Sequence, residues 1–337
     1  MRKKSRPTLE DVATLAGVST ASISRCINNP QKVAEPTRLR IQQSIEVLGY
    51  LPHFSGRALA RNRTNTIGAI IPTMDNAMFA SGLQAFQETL SQAGVTLLVG
   101  SSNYDPAQEF EQIRSLLSQG ADGLLLIGGA RPEKTRKFLT QHSVPHILAW
   151  CYSKTVGVPS VGFDNQKSGR SIAEHVIAHG HRNLAVISGL RAGNDRAQDR
   201  ILGIQAAIDA HQEVHLLALE ECKYSFEEAG EALDVILSGQ KRPTAIICGS
   251  DVLAVGAMLR AQDLGLCIPD DISFTGFDDI NLARVTTPGL TTVQVPQNEM
   301  GRKAADVLLS LLNGSTEQAQ SVELMTTIID RGTLAHI

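Results

Sequence analysis

Two patterns of hydrophobic positions divide the chain near residue 65. Before it, apolar residues recur every three or four positions, which is the spacing of amphipathic helices. After it, apolar runs alternate with helix-period segments of about 15 residues, as in sheets whose parallel strands are connected by helices. The pattern predicts a small helical head followed by a larger α/β body.

The head begins with a predicted helix over residues 9–16. Thr8 precedes it as N-cap, and Gly17 follows it as a turn residue. The predicted apolar face of this helix consists of Val12, Leu15 and Ala16. The turn leads directly into a second helix, because Ser19 is another residue suited to an N-cap.

The second helix has an apolar and a polar face. Ile23 and Ile27 face inward, and Val18 fills the angle between the helices. The outward side is small and polar, and it consists of Thr20, Ala21, Ser22 and Arg25. Two short helices with this layout predict a helix-turn-helix unit whose outward residues enter the DNA major groove. A third helix is predicted over 36–48, ending before Pro52.

The body is predicted to contain two doubly wound parallel sheets divided near Asp164. The predicted strands are 67–71, 96–99, 123–127, 146–149, 184–188, 215–218, 245–248, 272–275 and 291–295. Predicted helices between or after strands include 77–93, 106–119, 166–179 and 300–312. Two such sheets predict two lobes with a cleft between the carboxyl ends of their strands.

Charge separates the head from the body. Residues 1–63 hold eleven Lys or Arg against four Asp or Glu, a net charge of +7, whereas the whole chain is −3. The remaining residues therefore carry −10. A basic head on an acidic body is the distribution expected when the head alone binds DNA phosphates.

The sequence predicts a cytoplasmic protein without a membrane segment. No apolar run approaches the roughly 20 residues of a membrane helix, and the basic N-terminus lacks the apolar region of a secretory signal. The cysteines form no C-x-x-C pair, which favours reduced thiols. They are Cys26, Cys151, Cys222, Cys248 and Cys267.

The motifs of common catalytic and cofactor sites are missing. There is no G-x-x-x-x-G-K-S phosphate loop, no G-x-G-x-x-G after the first strand and no G-x-S-x-G elbow. We therefore predict a non-enzyme that needs no cofactor. His175, His179 and His181 have spacing that resembles a metal site, but no neighbouring cysteine or acidic residues complete one. No metal site is predicted.

Several motifs in order along the chain resemble the lactose-repressor/galactose-repressor family of bacterial transcription regulators. They run from Thr8 to near the C-terminus: TLEDVATLAGVS, ISRCIN, LGYLPH, IGAIIP, GHRNLAVISG, SDVLAVGAM, PDDISFTGFDD and LTTVQVP. The GHR triplet then falls at a turn entering a strand. The resemblance implies an all-α helix-turn-helix head on an α/β body with two doubly wound parallel-sheet lobes of periplasmic-binding-protein type. The implied boundaries are 1–52 for the head, 53–65 for a hinge, 66–163 with 296–325 for the N-terminal lobe, and 164–295 with 326–337 for the C-terminal lobe.

The resemblance also implies a palindromic operator DNA as partner, bound by a homodimer. The segment from Ser55 to Arg61 would be a hinge helix that folds on DNA, with Leu59 as an apolar wedge in the minor groove. Arg25 is suited to bidentate pairing with guanine. The implied DNA-binding residues are Thr8, Ser19, Thr20, Ala21, Ser22, Arg25, Asn28, Arg57 and Leu59.

The cleft would hold a small-molecule effector, a sugar or sugar acid. The implied effector-binding residues are Asn76, Phe79, Asp164, Asn194, Arg196, Arg200, Tyr224, Ser250, Asp251 and Asp278. Asp278 suits a vicinal diol, Arg200 can donate two bonds, and an aromatic ring such as Phe79 or Tyr224 can cover a sugar face.

Two questions stay open at this point. Arg196 and Arg200 are one helical turn apart and could converge on an anionic effector, or Arg196 could pair with a neighbouring aspartate. The candidate partners of Arg196 are Asp164, Asp195 and Asp199. The predicted function is an effector-controlled repressor of a carbohydrate or sugar-acid operon. The alternatives are a sugar-binding protein, which would need a signal peptide, and a sugar-metabolism enzyme with an appended DNA-binding head.

Overall fold

A computed structural model describes residues 7–51, 63–75, 77–152, 157–315 and 320–337. The chain divides into two compact units, Met1–Thr64 and Asn65–Ile337. The first is the helical head and the second is the α/β body.

The head contains the predicted helices. They are α1 (Leu9–Ala16), α2 (Thr20–Asn28) and α3 (Glu35–Leu48), with a short 3₁₀ turn at Pro30–Lys32. Thr8 and Ser19 cap α1 and α2 by accepting backbone N–H bonds from Asp11 and Ser22, as the sequence predicted. Gly17 has φ of 64°, a left-handed conformation that glycine adopts without strain, and this ends α1.

The core of the head is small, and it shows one error in the predicted apolar face of α1. Leu15 is 52% exposed, whereas Ala13 is buried in its place. The reason is the 3.6-residue period: Val12 and Ala16 define the buried line of α1, and Leu15 falls beside it. The buried residues are Val12, Ala13, Ala16, Ile23, Cys26, Ile41 and Tyr50.

The first sheet of the body has the order β11-β5-β4-β3-β1-β2. All of its pairings are parallel. Its strands are β1 (Thr66–Ile71), β2 (Thr96–Ser101), β3 (Gly123–Ile127), β4 (His146–Ala149), β5 (Ser160–Gly162) and β11 (Val322–Glu323). The central strands β1 and β3 are wholly buried because helices cover both faces.

The second sheet repeats this winding with the order β12-β10-β9-β8-β6-β7. Its strands are β6 (Asn183–Gly189), β7 (His215–Cys222), β8 (Ala245–Cys248), β9 (Ser273–Asp278), β10 (Thr291–Gln294) and β12 (Thr327–Ile329). Only the pairing of β12 with β10 is antiparallel among the described strands. Because the chain returns to the first lobe after β10 and comes back for β12, several segments link the lobes.

Helices connect and cover the strands. They are α4 (Ala77–Gln92), α5 (Pro106–Ser118), α6 (Glu133–Gln141), α7 (Asn165–Ala178), α8 (Asp195–Asp209), α9 (Phe226–Leu237), α10 (Asp251–Asp263), α11 (Asn281–Val285) and α12 (Gln297–Leu312). The backbones of α4 and α12 approach closely at Gly82 and Gly301, where a Cβ on Gly301 would collide with the Gly82 carbonyl. None of the described helices is long and apolar enough to cross a bilayer.

The nine predicted strands are confirmed, with changed ends. The predicted strand at 215–218 continues to Cys222, and that at 272–275 starts at Ser273 and reaches Asp278. The strands β5, β11 and β12 were missed because segments of two or three residues carry no readable periodicity. The five cysteines do not pair with one another, and only Cys267 is exposed.

Candidate DNA-reading head and effector cleft

The outward face of α2 carries the side chains expected to read bases. Thr20, Ala21 and Arg25 are exposed, and Ser22 is half-buried. The Ser22 hydroxyl lies 3.0 Å from that of Ser19. Asn28, in the last turn, donates from Nδ2 to Ser24 Oγ over 3.3 Å. Among the exposed residues of this face, Arg25 is the one with a long cationic side chain.

Three of the predicted contact residues lie outside the residues that the structure describes. They are Arg57, Leu59 and Asn76. The rest of the predicted hinge helix also lies outside the described residues.

The predicted cleft residues lie where strands end. Asp278 is the last residue of β9, Ser250 and Asp251 follow β8, and Tyr224 follows β7. Carboxyl ends of parallel strands meet along one edge of a sheet, which is where ligands bind in doubly wound folds. These side chains are close together for that reason.

Arg200, on α8, is buried among the predicted cleft residues and is 4% exposed. Its Nε donates to Asn165 Oδ1 over 2.9 Å, and its Nη1 donates to the Gly249 carbonyl over 2.6 Å. The guanidinium lies 3.7 Å from the centroid of the Phe277 ring. These contacts fix its plane and leave Nη2 directed at Asp278, 3.8 Å away.

Asp278 is a buried carboxylate with an unused acceptor. Its Oδ1 has no hydrogen-bond partner among the described residues. Burial raises the pKa of Asp278 to about 7, although the charges of Arg200 and Arg196 act in the opposite direction. Burial likewise lowers the pKa of Arg200, with Asp278 opposing that shift. The cleft therefore holds a carboxyl group able to accept or donate near neutral pH.

Asp251 and Ser250 are engaged by the protein itself. Asp251 is fully buried, its Oδ1 accepts from the Thr292 hydroxyl over 2.5 Å and its Oδ2 accepts from the Ile280 amide over 2.8 Å. Ser250 caps α10 by accepting from the Leu253 amide. Burial raises the pKa of Asp251, with the charge of Asp278 adding to the shift. Asp251 thus ties the loop after β9 to strand β10.

Two tyrosines from opposite lobes stack at the mouth of the cleft. Tyr104, which follows β2, and Tyr224 have ring centroids 5.5 Å apart and planes inclined by 29°. Asn194 Nδ2 donates to Tyr224 Oη over 3.2 Å. Tyr104 Oη is buried without a hydrogen-bond partner among the described residues, and burial raises its pKa. Beside this pair lies a cavity of about 330 Å³, also lined by Thr73, Asp75, Asn103, Leu190, Ala192 and Lys223.

Asp195 makes a direct contact between the lobes. Its Oδ2 accepts the amide hydrogens of Gly129 over 2.5 Å and of Ala130 over 3.1 Å, both in the loop after β3. Its Oδ1 lies 3.6 Å from Nη1 of Arg196. Of the partners considered for Arg196, the structure therefore shows Asp195. Asp164 instead caps α7 and is exposed.

Phe79 is 1% exposed and packs edge-on against Trp150, with centroids 5.3 Å apart. It lies within the core, so neither ring face is available to cover a sugar in this structure. A second interlobe cavity of about 610 Å³ is lined by Asp75 and Ser81 from one lobe and by Val252 and Asn281 from the other. Neither Arg200 nor Asp278 is among the residues that line either of these two cavities.

Sequence reasoning missed three cleft residues. Asn165 fixes Arg200, Tyr104 stacks on Tyr224, and Asp195 joins the lobes. Asp195 was considered only as a partner of Arg196. The available signal for all three was their position directly after a strand or at the start of a helix that follows one.

Comparisons with known proteins agree with this arrangement. Residues 8–53 match bacterial regulatory proteins of the lacI family, and residues 64–330 match periplasmic binding proteins and the sugar binding domain of the LacI family. The HTH-type transcriptional repressor PurR of Klebsiella pneumoniae (strain 342) is 33% identical over 332 residues, 97% of each chain. Catabolite control protein A of Priestia megaterium is 30% identical over 94% of this chain and 96% of its own.

Solved structures give the same result. A crystal structure of a LacI-family transcriptional regulator from Silicibacter pomeroyi aligns with a TM-score of 0.89 at 25% identity, covering 98% of this chain and 99% of that one. The chain belongs to the LacI family, and it is a DNA-binding transcriptional regulator whose body is an effector-binding domain.

Proposed function

We propose that the protein is a repressor that binds a near-palindromic operator as a homodimer and is controlled by a small hydroxylated effector between its lobes. A symmetric dimer suits a palindromic site because each half-site is read by one copy of the same head. The head carries the positive charge of the chain, and α2 exposes Thr20, Ala21 and Arg25. Such repressors work on DNA, and we accordingly place the protein in the cytoplasm.

The DNA-contacting residues fall into two groups in this proposal. Thr20, Ala21 and Arg25 meet base edges, with Arg25 suited to guanine. The residues proposed to contact the backbone or minor groove are Thr8, Ser19, Ser22, Asn28, Arg57 and Leu59. Thr8 and Ser19 use their hydroxyls as helix caps, and the Thr8 amide donates to Asp11 Oδ2 over 2.8 Å. Both residues lie at the N-terminal ends of helices, where the helix dipole favours a phosphate.

One observation carries the effector proposal: Asp278 Oδ1 and Tyr104 Oη are buried polar atoms without protein partners, near Arg200. Buried polar groups are nearly always hydrogen-bonded, so a ligand that bonds to both removes an energetic cost. A vicinal diol can donate to the Asp278 carboxylate, accept from Arg200 Nη2 and bond to a phenol. The 330 Å³ cavity beside Tyr104 has the volume of a small-ligand site.

The predicted effector residues have different roles in this proposal. Arg200, Asp278, Asn194, Arg196 and Tyr224 contact the ligand. Asp164, Ser250 and Asp251 hold the strand ends and helix starts that carry them. Phe79 supports the cleft indirectly, because it packs against Trp150 in the core. Asn76 completes the proposed set from the first lobe.

The charges of the cleft favour a neutral sugar as the first candidate. Asp195 partly neutralises Arg196, and Asp199 and Asp278 add further carboxyl groups near the two arginines. A sugar acid is the second candidate, because the long 3.6 Å separation of Arg196 from Asp195 allows the guanidinium to turn to a ligand carboxylate. The protein acts by binding rather than catalysis in either case.

Control follows from two states of the body. An effector that binds one lobe arrangement better shifts the population toward it, and the operator affinity of the dimer changes through the hinge segment. The proposed boundaries are a head over 1–52, a hinge over 53–65, and lobes over 66–163 with 296–325 and 164–295 with 326–337. The strands of the two sheets fall within these lobes.

The test uses the full-length protein in two assays. Selection from a random DNA pool is expected to recover a near-palindromic site, and failure to enrich any site contradicts the DNA-binding part. A thermal-shift panel of neutral sugars, sugar acids, sugar phosphates and purines then identifies the effector, since a ligand at 100 times its Kd adds about 2.7 kcal/mol. A shift lost in Asp278→Asn but kept in Asp306→Asn, an exposed α12 control, supports the site. Turnover of the bound sugar would contradict a purely binding role.

A further inference from the structure

Two histidines and an aspartate converge at the end of α7, away from the strand ends that form the cleft. The Nε2 atoms of His175 and His179 lie 3.5 Å and 3.6 Å from Oδ2 of Asp330. A ligand atom of each residue lies within 4.8 Å of those of the other two. The sequence analysis did not consider Asp330 beside these histidines, because Asp330 is remote along the chain.

The secondary structure explains the convergence. His175 and His179 are four residues apart at the C-terminal end of α7, so their side chains are on the same helix face. Asp330 directly follows β12, the antiparallel strand at the edge of the second sheet. The strand thus brings its carboxylate to the helix end.

Neighbouring groups orient two of the three side chains, His179 and Asp330, for a cation. His179 Nδ1 lies 2.8 Å from the His175 carbonyl and donates to it, so Nε2 is the ring nitrogen that faces Asp330. Asp330 Oδ1 accepts from the Thr291 hydroxyl over 3.2 Å, leaving Oδ2 facing the imidazoles. Such second partners are typical of metal-bound histidine and carboxylate.

His175 supplies an independent sign that a partner is needed. Its Nε2 is buried and makes no hydrogen bond to the described residues. Two imidazoles and a carboxylate together form a nitrogen and oxygen ligand set, which suits a transition-metal dication.

The dimensions fit a small dication. Bonds of about 2.0–2.1 Å in a tetrahedral zinc site place ligand atoms roughly 3.3 Å apart. The two separations from histidine to Asp330, 3.5 and 3.6 Å, are close to this, and all three ligand atoms lie within 4.8 Å of one another. The Asp330 side chain is 52% exposed, so an ion can enter and a water can take the fourth position. His181 is not part of the site, because its ring nitrogens bond to Thr244 Oγ1 and the Ala335 carbonyl.

We propose that His175, His179 and Asp330 form a binding site for a transition-metal dication of the Zn²⁺ type. The ion would fasten β12 and the chain end to α7, whose first turn holds Asn165 against Arg200. Affinities for other divalent ions follow the usual order of nitrogen and oxygen ligands, with Ni²⁺ and Co²⁺ also accepted.

The test uses untagged full-length protein freed of metal with a chelator. Calorimetric titration with Zn²⁺ is expected to show one ion per chain and a higher Tm. His179→Gln and Asp330→Asn are expected to weaken binding by at least about tenfold. The control His211→Gln removes a half-buried histidine that also lies near a carboxylate, 3.8 Å from Glu213, and should leave binding unchanged. Unchanged affinity in the two site variants, or no binding by the wild type, overturns the proposal.

A spectroscopic measurement does not depend on variant stability. Co²⁺ bound to wild-type protein is expected to give visible bands of a nitrogen and oxygen site. A strong near-ultraviolet sulfur band would place the metal at a thiol such as the exposed Cys267 and would overturn the assignment. Circular dichroism of the metal-free variants establishes that each is folded.

Discussion

Arg200 Nη2 lies 3.8 Å from Asp278 Oδ1, and both side chains are buried. This separation is too long for a hydrogen bond. Arg200 instead makes its short contacts with Asn165 and the Gly249 carbonyl. The buried carboxyl group is therefore only partly compensated, and this explains the upward shift of its pKa.

The first prediction concerns pH. Asp278 has a pKa of about 7 in the folded protein and an ordinary value of 3.8. The folded state therefore binds a proton more tightly than the unfolded state does. The contribution of this group to the free energy of unfolding is complete below about pH 4 and is lost as the pH rises through 7. Asp278→Asn is expected to flatten this part of the Tm profile between pH 5 and 8. An identical slope in wild type and variant would contradict the assignment, and Asp306→Asn is the control.

The second prediction concerns base reading by α2. Arg25→Ala is expected to lose about 1–3 kcal/mol of specific binding and to relax selectivity at one base pair in each half-site. The reason is the loss of a bidentate contact with guanine. Anisotropy titrations against the selected site and single-base variants measure it. Arg302→Ala, an exposed arginine of α12, is the control. An unchanged base preference in Arg25→Ala would refute the proposed docking.

The third prediction concerns the contact between the lobes. Asp195→Ala removes a carboxylate that accepts two amide hydrogens from the loop after β3. If the effector binds the lobe arrangement that this contact stabilises, its apparent Kd should rise in proportion to the loss of that arrangement, by several-fold or more. Small-angle scattering should show a larger radius of gyration.

The fluorescence of Trp150 gives a second measurement of the same change. Trp150 is the single tryptophan and is 1% exposed. The Trp150 carbonyl accepts a hydrogen bond from Asn165 at the start of α7. The Trp150 fluorescence should therefore change in Asp195→Ala, and effector binding should partly reverse the change. Asp306→Ala should behave as wild type. Scattering and fluorescence that both match wild type would show that Asp195 does not hold the lobes together.

The fourth prediction separates the capping role of Thr8 from its proposed DNA contact. Thr8 accepts the Asp11 amide hydrogen as N-cap of α1. Thr8→Ala is expected to destabilise the head by about 1 kcal/mol, whereas Thr8→Asn should retain stability because asparagine is a good cap. Calorimetry of the full chain measures the transition of the head. Equal stability of the two variants would contradict the capping role.

Local chemistry explains what the sequence predicted well. Helices α1 and α2 and their caps depend on residues within four positions of each other, so Thr8, Gly17 and Ser19 mark them directly. The long strands of both sheets are readable for the same reason, since buried parallel strands are continuous apolar runs. Arg200 and Asp278 were selected through the family resemblance, and the structure brings them together.

The sequence by itself determined the family, the helix-turn-helix head, the α/β body and the basic-to-acidic division of charge. Only the tertiary structure decided that Asp195 joins the lobes, that Phe79 lies in the core and that Asp330 meets His175 and His179. These contacts join residues 65 to 155 positions apart, and their distances depend on strand register and helix packing. Neither is encoded in local periodicity, so no pattern along the chain shows which distant side chains meet.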